Sequence, residues 1–140
     1  MDVLLGTDIV YVPRIKAAVD RFGERFLQRV FTPTERRDCC QSDSSKRKLR
    51  ISQLAGRWAA KEAIAKALGT GWSGISYTDI EIQRQANGAP KVCLYRAAAT
   101  YAAMWGEGQW RISLSHDGDY AIALLSCSLA LNPRNSRRCD

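Results

Sequence analysis

The stretch GRWAAKEAIAKALGTG, at residues 56–71, constrains this chain more than any other. Alanine and leucine favour a helix, no proline interrupts them, and Gly69 stands where a helix often ends. At about 100° per residue, one side of such a helix collects only small or apolar residues. They are Ala59, Ala60, Ala63, Ile64, Ala67 and Leu68. The pattern predicts a long central helix that lies close against a neighbouring element.

The opposite side of this helix is charged. Arg57 and Lys61 stand one turn apart, so two positive charges repel each other unless an anion lies nearby. Glu62 precedes Lys66 by four residues, the favourable order for an ion pair within a helix. Two interpretations follow: a solvated face with one salt bridge, or a phosphate site with a carboxylate ready for a metal. The helix alone favours the first.

Length and composition indicate one soluble domain. The chain has 140 residues, 46% hydrophobic and 25% charged, and no apolar run long enough for a bilayer. Residues 1–8 have an acid at position 2 and no basic segment, so they do not resemble a signal peptide, and we expect a cytoplasmic protein. Five cysteines without a C-x-x-C motif, together with a single histidine, argue for free thiols rather than a zinc site.

The net charge of +7 is unevenly distributed. Residues 1–70 hold 14 of the 21 Lys and Arg against 8 of the 14 Asp and Glu, whereas the rest of the chain is nearly balanced. A basic first half implies an acidic partner, which is a nucleic acid, a membrane surface, a phosphorylated cofactor or an acidic protein.

Hydrophobic periodicity predicts an α+β domain whose antiparallel sheet is built from both ends of the chain. Strands are expected at 3–11, 79–84, 91–95, 110–115 and 120–127, the last apolar enough to be buried. Helices are expected at 13–22, 33–41 and 96–105, with the basic residues 46–50 leading directly into the central helix. Asn87-Gly88 predicts a hairpin turn, and residues 116–119 a second turn. Residues 1–131 are expected to form a single domain, followed by a disordered basic tail at 132–140.

Two carboxylates stand out among many bases. Asp8 interrupts an apolar strand, where a carboxylate is costly unless it is paired, hydrogen-bonded or bound to a metal. With Glu62 it supplies the oxygen ligands that suit Mg²⁺, while Arg57, Lys61, Lys66 and His116 suit phosphates. Two carboxylates for Mg²⁺ together with several bases for phosphates favour phosphoryl transfer as the reaction. The glycines of 69–74 match G-x-G-x-x-G, but a helix rather than a strand precedes them, so we reject a dinucleotide site.

Separated blocks of this sequence resemble the small bacterial holo-[acyl-carrier-protein] synthases, which are 4′-phosphopantetheinyl transferases. The blocks lie at 6–10 with 14–15, 29–32 with 35, 56–63 with 66–71, 87–90, and 113–116 with 120–123. The resemblance therefore runs from about residue 3 to residue 127. It implies a 4′-phosphopantetheinyl transferase-like fold, in which the antiparallel sheet packs against the long central helix.

The resemblance also implies a reaction. A serine hydroxyl of an acyl carrier protein attacks the β-phosphate of coenzyme A, phosphopantetheine is transferred, and adenosine 3′,5′-bisphosphate leaves. Mg²⁺ is then expected on Asp8 and Glu62, with Lys66 activating the serine or steadying the β-phosphate. The residues expected to bind coenzyme A are Arg57, Lys61, Gly69, Thr70, Gly71, Asn87, Gly88, Pro90 and His116.

Two further expectations follow from the same resemblance. Arg14, Arg21 and Arg25 are expected to dock the acidic recognition helix of the carrier protein, and the chain is expected to form a homotrimer with its sites between subunits. The competing hypothesis is a nucleic-acid-binding module, suggested by the net charge and the basic residues 46–50. It lacks a recognisable reading motif and a series of exposed aromatic residues, so we expect neither a nucleic acid nor a membrane as partner.

Overall fold

The computed structural model describes residues 2–43 and 46–130, so the expected tail at 132–140 lies outside the described residues. The helices are α1 (Val12–Phe22), α2 (Glu24–Val30), α3 (Pro33–Asp38), α4 (Ile51–Leu68) and α5 (Arg96–Trp105). The strands are β1 (Asp2–Tyr11), β2 (Cys40–Asp43), β3 (Lys46–Leu49), β4 (Ile80–Arg84), β5 (Pro90–Leu94), β6 (Gly108–Asp117) and β7 (Tyr120–Leu129). Within this described part, no helix combines the length and apolar character needed to span a bilayer.

A three-stranded antiparallel sheet joins the two ends of the chain, as the periodicity predicts. Its order is β1-β7-β6, with Asp8 opposite Ala123 and Ser113 opposite Leu124. The hairpin β4–β5 is a separate two-stranded sheet that turns at Asn87 and Gly88. The predicted α+β class is therefore confirmed.

The long central helix α4 packs against the inner face of this sheet and also contacts α1 and β4. It is buried on almost every side, including at Arg57 and Lys61. The helix ends at Gly69, whose φ of 78° is the left-handed conformation that glycine adopts readily. Contact with β1 is closest at Gly6, where an added Cβ would lie only 1.9 Å from the carbonyl oxygen of Ala63. Helix and strand approach this closely only because residue 6 has no side chain.

The segment before α4 corrects two sequence predictions. Thr32 caps α3 as predicted, with its side chain accepting from Glu35 N while Glu35 accepts from Thr32 N. The helix ends at Asp38 rather than near residue 41, and the basic residues 46–50 do not extend α4. Instead β3 pairs antiparallel with β2, and α4 begins only at Ile51. Backbone pairing between two short strands has overridden helix propensity at these positions.

Strand β7 is not buried on both faces. Its inward residues, such as Ala123 and Leu125, are fully buried, but Tyr120, Ile122 and Leu124 are exposed. Side chains alternate between the two faces of a strand, and α4 covers only one face of this sheet. The apolar run therefore supplies a core face and a second apolar face that is open in the single chain.

Candidate functional site

A cavity of about 420 Å³ opens beside the first half of α4. It lies between that helix, the β4–β5 hairpin and β6, and it brings together residues that are far apart in sequence. The basic side chains in its wall are Arg57, Arg84 and His116. Gly88 and Pro90 line it from the hairpin, so four of the residues expected to bind coenzyme A meet in one place.

Arg57 is held rigidly at the wall of this cavity. It is only 5% exposed, its Nε donates to Ile82 O at 3.2 Å, and one terminal nitrogen lies 3.8 Å from Asp38 Oδ2. A guanidinium has five N–H donors in a fixed plane, and these contacts leave some of them for an anion in the cavity. A phosphate-binding role for Arg57 stays a prediction, which its position in the cavity wall allows.

His116 belongs to β6, and only Gly118 and Asp119 form the turn that the sequence predicts at 116–119. His116 lines the cavity, whereas the next residue, Asp117, does not. Successive side chains of a strand point to opposite faces, so Asp117 can follow His116 directly without placing its negative charge in the cavity.

Lys66 contacts Asp8 rather than Glu62. Its Nζ lies 2.9 Å from Asp8 Oδ1 and also donates to Thr7 O at 3.1 Å. The Asp8 side chain is 16% exposed, whereas that of Lys66 is 55% exposed. The predicted carboxylate in the first strand and the predicted base on α4 are therefore neighbours, and Glu62 lies one turn before that base.

Glu62 is half-buried and accepts two hydrogen bonds on one oxygen. Trp72 Nε1 lies 3.1 Å and Tyr77 Oη 3.2 Å from Glu62 Oε1. Burial and the negative charge of Glu62 raise the pKa of Tyr77 to about 12. The phenol therefore stays protonated at neutral pH and remains a donor.

A metal ion at this place would find few protein ligands. No group of three or more His, Cys, Asp or Glu among residues 2–43 and 46–130 is arranged to hold one. Asp8, beside Lys66, and Glu62, one helical turn before it, nevertheless fit Mg²⁺, which commonly takes one or two carboxylates and completes its shell with water and substrate phosphate. The donor set is thus compatible with Mg²⁺ bound together with a pyrophosphate.

Lys61 is not a phosphate ligand, and that prediction is wrong. Its side chain is completely buried, and its ammonium group has three acceptors, namely Glu35 Oε2 at 2.7 Å, Val30 O at 2.6 Å and Tyr77 O at 3.0 Å. An ammonium group has three donors, so none remains for a ligand. Burial lowers the pKa of Lys61 from its usual value, and the charge of Glu35 opposes that shift.

The other predicted residues do not line this cavity. Gly69, Thr70 and Gly71 follow the end of α4, about 18 Å along the helix from Arg57 at 1.5 Å per residue. The Asn87 side chain accepts from Ala89 N at 3.0 Å and so shapes the hairpin turn. The docking candidates Arg14, Arg21 and Arg25 are all exposed on α1 and α2.

Sequence reasoning missed several residues of the site. Arg84 lines the cavity and donates to Gln53 Oε1 at 2.7 Å, and the alternation of β4 was the signal that could have drawn attention to it. Trp72 and Tyr77 carry no motif, because their approach to Glu62 depends on how the turn after α4 folds back.

Comparison with known proteins identifies the family. A model of the 4′-phosphopantetheinyl transferase superfamily matches residues 4–125. The chain belongs to this superfamily. The resemblance inferred from the sequence blocks is confirmed, and so is the transferase fold.

Other transferases of the superfamily are similar over most of their length. The chain is 47% identical to the holo-[acyl-carrier-protein] synthase of Gloeobacter violaceus over 122 residues, which cover 87% of this chain and 89% of that protein. It is 45% identical to the synthase of Desulforudis audaxviator, with 96% of each chain covered.

Solved structures agree with the sequence comparisons. The complex of the Chronobacterium ammoniagenes synthase with coenzyme A superimposes with a TM-score of 0.77 at 32% identity, covering 94% of this chain and all of that one. The Helicobacter pylori synthase, also solved with coenzyme A, gives a TM-score of 0.73 at 35% identity, covering 89% of this chain and 99% of that one.

Proposed function

We propose that this chain transfers the 4′-phosphopantetheine group of coenzyme A to a serine of an apo-acyl carrier protein. The observation that carries the proposal is the match of residues 4–125 to the transferase family, together with a cavity in which four of the nine residues predicted to bind coenzyme A meet. Relatives of this chain are named for the reaction, and two similar structures contain coenzyme A. The catalytic unit is residues 1–131, and the basic tail at 132–140 lies outside it.

The nucleotide end of coenzyme A fits the cavity beside α4. Arg57, Arg84 and His116 neutralise its phosphates there, because basic side chains at a partly enclosed site interact more strongly than in open water. Gly88 and Pro90 line the cavity from the hairpin, and because glycine has no side chain and proline only a small rigid ring, they leave room for the adenine ring. Asn87 contributes by fixing the turn, and Gly69, Thr70 and Gly71 border the pantetheine arm at the far end of the helix.

The reacting phosphate lies between α4 and β1 in this proposal. Asp8 and Glu62 hold Mg²⁺, which when bound neutralises the charge of the pyrophosphate. The serine oxygen forms a bond to the β-phosphorus, the bond from that phosphorus to the bridging oxygen breaks, and the bisphosphate leaves with the electron pair. Lys66 either accepts the serine proton as a neutral amine or holds the β-phosphate as an ammonium group, and its half-exposed position beside Asp8 places it for both roles.

The exposed face of the three-stranded sheet supports a homotrimer. Seven large apolar side chains on this face are between 41% and 66% exposed: Val3, Leu5, Ile9, Tyr11, Tyr120, Ile122 and Leu124. They are contiguous, since Ile9 lies opposite Ile122, and Tyr11 opposite Tyr120 with ring centroids 5.3 Å apart. A patch of this kind marks an interaction surface, and we propose that other copies of the chain cover it.

The carrier protein approaches from α1 and α2. Arg14, Arg21 and Arg25 are exposed there and suit an acidic helix, with Arg21 held 5.1 Å from the ring centroid of Phe22. The four described cysteines are free thiols, which suits a reducing compartment, and we propose that the protein works in the cytoplasm.

Mass spectrometry tests the reaction directly. Apo-acyl carrier protein is incubated with the purified protein, coenzyme A and Mg²⁺, and the carrier is expected to gain one phosphopantetheine on its serine. The matched control is Glu62→Gln, which keeps the shape of the side chain but removes the charge of a metal ligand. A folded wild-type protein that leaves several carrier proteins unmodified would refute the proposed function.

A further inference from the structure

Two aromatic side chains hold the carboxylate of Glu62 through one of its oxygens. Trp72 Nε1 and Tyr77 Oη both donate to Oε1, at 3.1 and 3.2 Å. In the part of the chain that the structure describes, no hydrogen bond reaches the other oxygen, Oε2. The carboxylate is therefore fixed on one side and open to a ligand on the other.

Stacking fixes the two donors in turn. The Tyr77 ring lies between Trp72, with ring centroids 3.8 Å apart, and Trp58, at 5.1 Å. Phe26 extends the stack, with its centroid 6.1 Å from that of Trp58. A tyrosine confined between two rings cannot swing its hydroxyl away without losing that packing, so the direction of its hydrogen bond is set in advance.

The backbone of Tyr77 is anchored to the same helix that carries Glu62. Lys61, the residue before Glu62, donates to Tyr77 O at 3.0 Å. Lys61 is itself fixed by its buried pair with Glu35, 2.7 Å away. Lys61 thus anchors the segment that contains Tyr77 to α4.

We propose that Trp72 and Tyr77 are positioning residues that orient Glu62 and thereby set the affinity of the site for Mg²⁺. This inference rests on the proposed function, in which Glu62 is a metal ligand. Hydrogen-bond partners of a ligating carboxylate hold it in the geometry that the metal requires, and their loss typically costs about 10–100-fold in metal affinity. Because two donors share Oε1, loss of either is expected to cost about 10-fold.

Metal titration of two conservative variants provides the test. Tyr77→Phe removes one hydroxyl and keeps the stacked ring, and Trp72→Phe removes the indole N–H. Binding of Mg²⁺ to each variant in the presence of coenzyme A is measured by isothermal titration calorimetry, and binding of Mn²⁺ by electron paramagnetic resonance. The dissociation constant is expected to rise about 10-fold in each, while kcat at saturating Mg²⁺ stays near the wild-type value.

Two controls test the positioning of Glu62 by Trp72 and Tyr77, called the clamp below, separately from the proposed function. Tyr95→Phe removes the same kind of contact outside the site, since Tyr95 Oη lies 3.1 Å from Glu81 Oε1, and it is expected to leave metal affinity unchanged. Glu62→Gln is expected to lose most metal affinity. Wild-type affinity in Glu62→Gln would overturn the metal assignment and the clamp with it. Wild-type affinity in both aromatic variants, with Glu62→Gln impaired, would overturn the clamp alone.

Discussion

Lys61 Nζ lies 2.7 Å from Glu35 Oε2, and neither side chain has any exposed surface. The pair joins α4 to α3, and Glu35 extends it by accepting from Ile82 N at 2.8 Å in β4. Lys61, although it belongs to the stretch at residues 56–71 that contains the predicted site residues, therefore forms an ion pair inside the core. Its neighbours in this stretch, Arg57, Glu62 and Lys66, remain accessible to ligands.

Lys61→Met is expected to destabilise the protein by about 3–5 kcal/mol, because it leaves the buried Glu35 carboxylate without a countercharge. Urea unfolding at neutral pH measures the loss. The control is Lys66→Met, which breaks a largely exposed pair with Asp8 and is expected to cost about 1 kcal/mol or less. Equal stability of the two variants would contradict the structural role of Lys61.

Lys66→Ala is expected to lower kcat by about 10²–10⁴-fold without unfolding the protein, because Lys66 is the proposed proton acceptor or phosphate ligand and lies beside Asp8 with its side chain half exposed. Steady-state transfer to a carrier protein at saturating Mg²⁺ measures the effect. Lys66→Arg keeps a positive charge that can pair with Asp8, and we expect it to retain clearly more activity than the alanine variant. If both variants are equally inactive, proton transfer rather than charge is the role of Lys66.

Gly6→Ala is expected to destabilise the protein by about 1–3 kcal/mol or more, because the new methyl group would meet the carbonyl oxygen of Ala63 and push β1 away from α4. Asp8 lies two residues further along β1, so activity should fall as well. Gly56→Ala is the matched control: the nearest atom to its added Cβ is Leu114 Cδ1 at 3.9 Å. Within a helix this exchange should stabilise by about 0.5–1 kcal/mol, and thermal unfolding compares the two.

Much of the fold could be predicted because its signals are local. The alanine-rich run of α4, the capping box at Thr32 and the Asn87-Gly88 turn each depend on neighbouring residues only. The hairpin β2–β3 could not be predicted from the sequence. Strand pairing at residues 40–43 and 46–49 competes with helix propensity there, and tertiary contacts decide between the two.

The site was predictable in its residue types but not in their pairing. The sequence predicts that Asp8 and Glu62 share a site, and the structure brings Asp8 next to Lys66, one turn after Glu62. Helical spacing alone predicts that Lys66 pairs with Glu62 and that Lys61 faces solvent. The reason is that an amphipathic pattern places charged residues on the solvent-exposed side of a helix. The acceptors that draw Lys61 inward, Val30 O and Tyr77 O, come from remote parts of the chain.

The open face of the sheet leads to a prediction about assembly. Leu124 is 53% exposed on β7 in the middle of that face, opposite Thr7 of β1. Leu124→Asp places a charge among apolar side chains that other copies are proposed to cover, so we expect the proposed trimer to dissociate into monomers. Size-exclusion chromatography with light scattering measures the mass.

The matched control for this experiment is Met104→Asp. Met104 is 70% exposed on α5, away from the sheet, so its exchange adds the same charge to an apolar position outside the proposed interface. This variant is expected to stay trimeric. Because the sites are proposed to lie between subunits, Leu124→Asp should also lose transfer activity in proportion to the lost trimer, whereas Met104→Asp should keep it. A wild-type chain that is monomeric at micromolar concentration would rule out the assembly, and the apolar face would then need another partner.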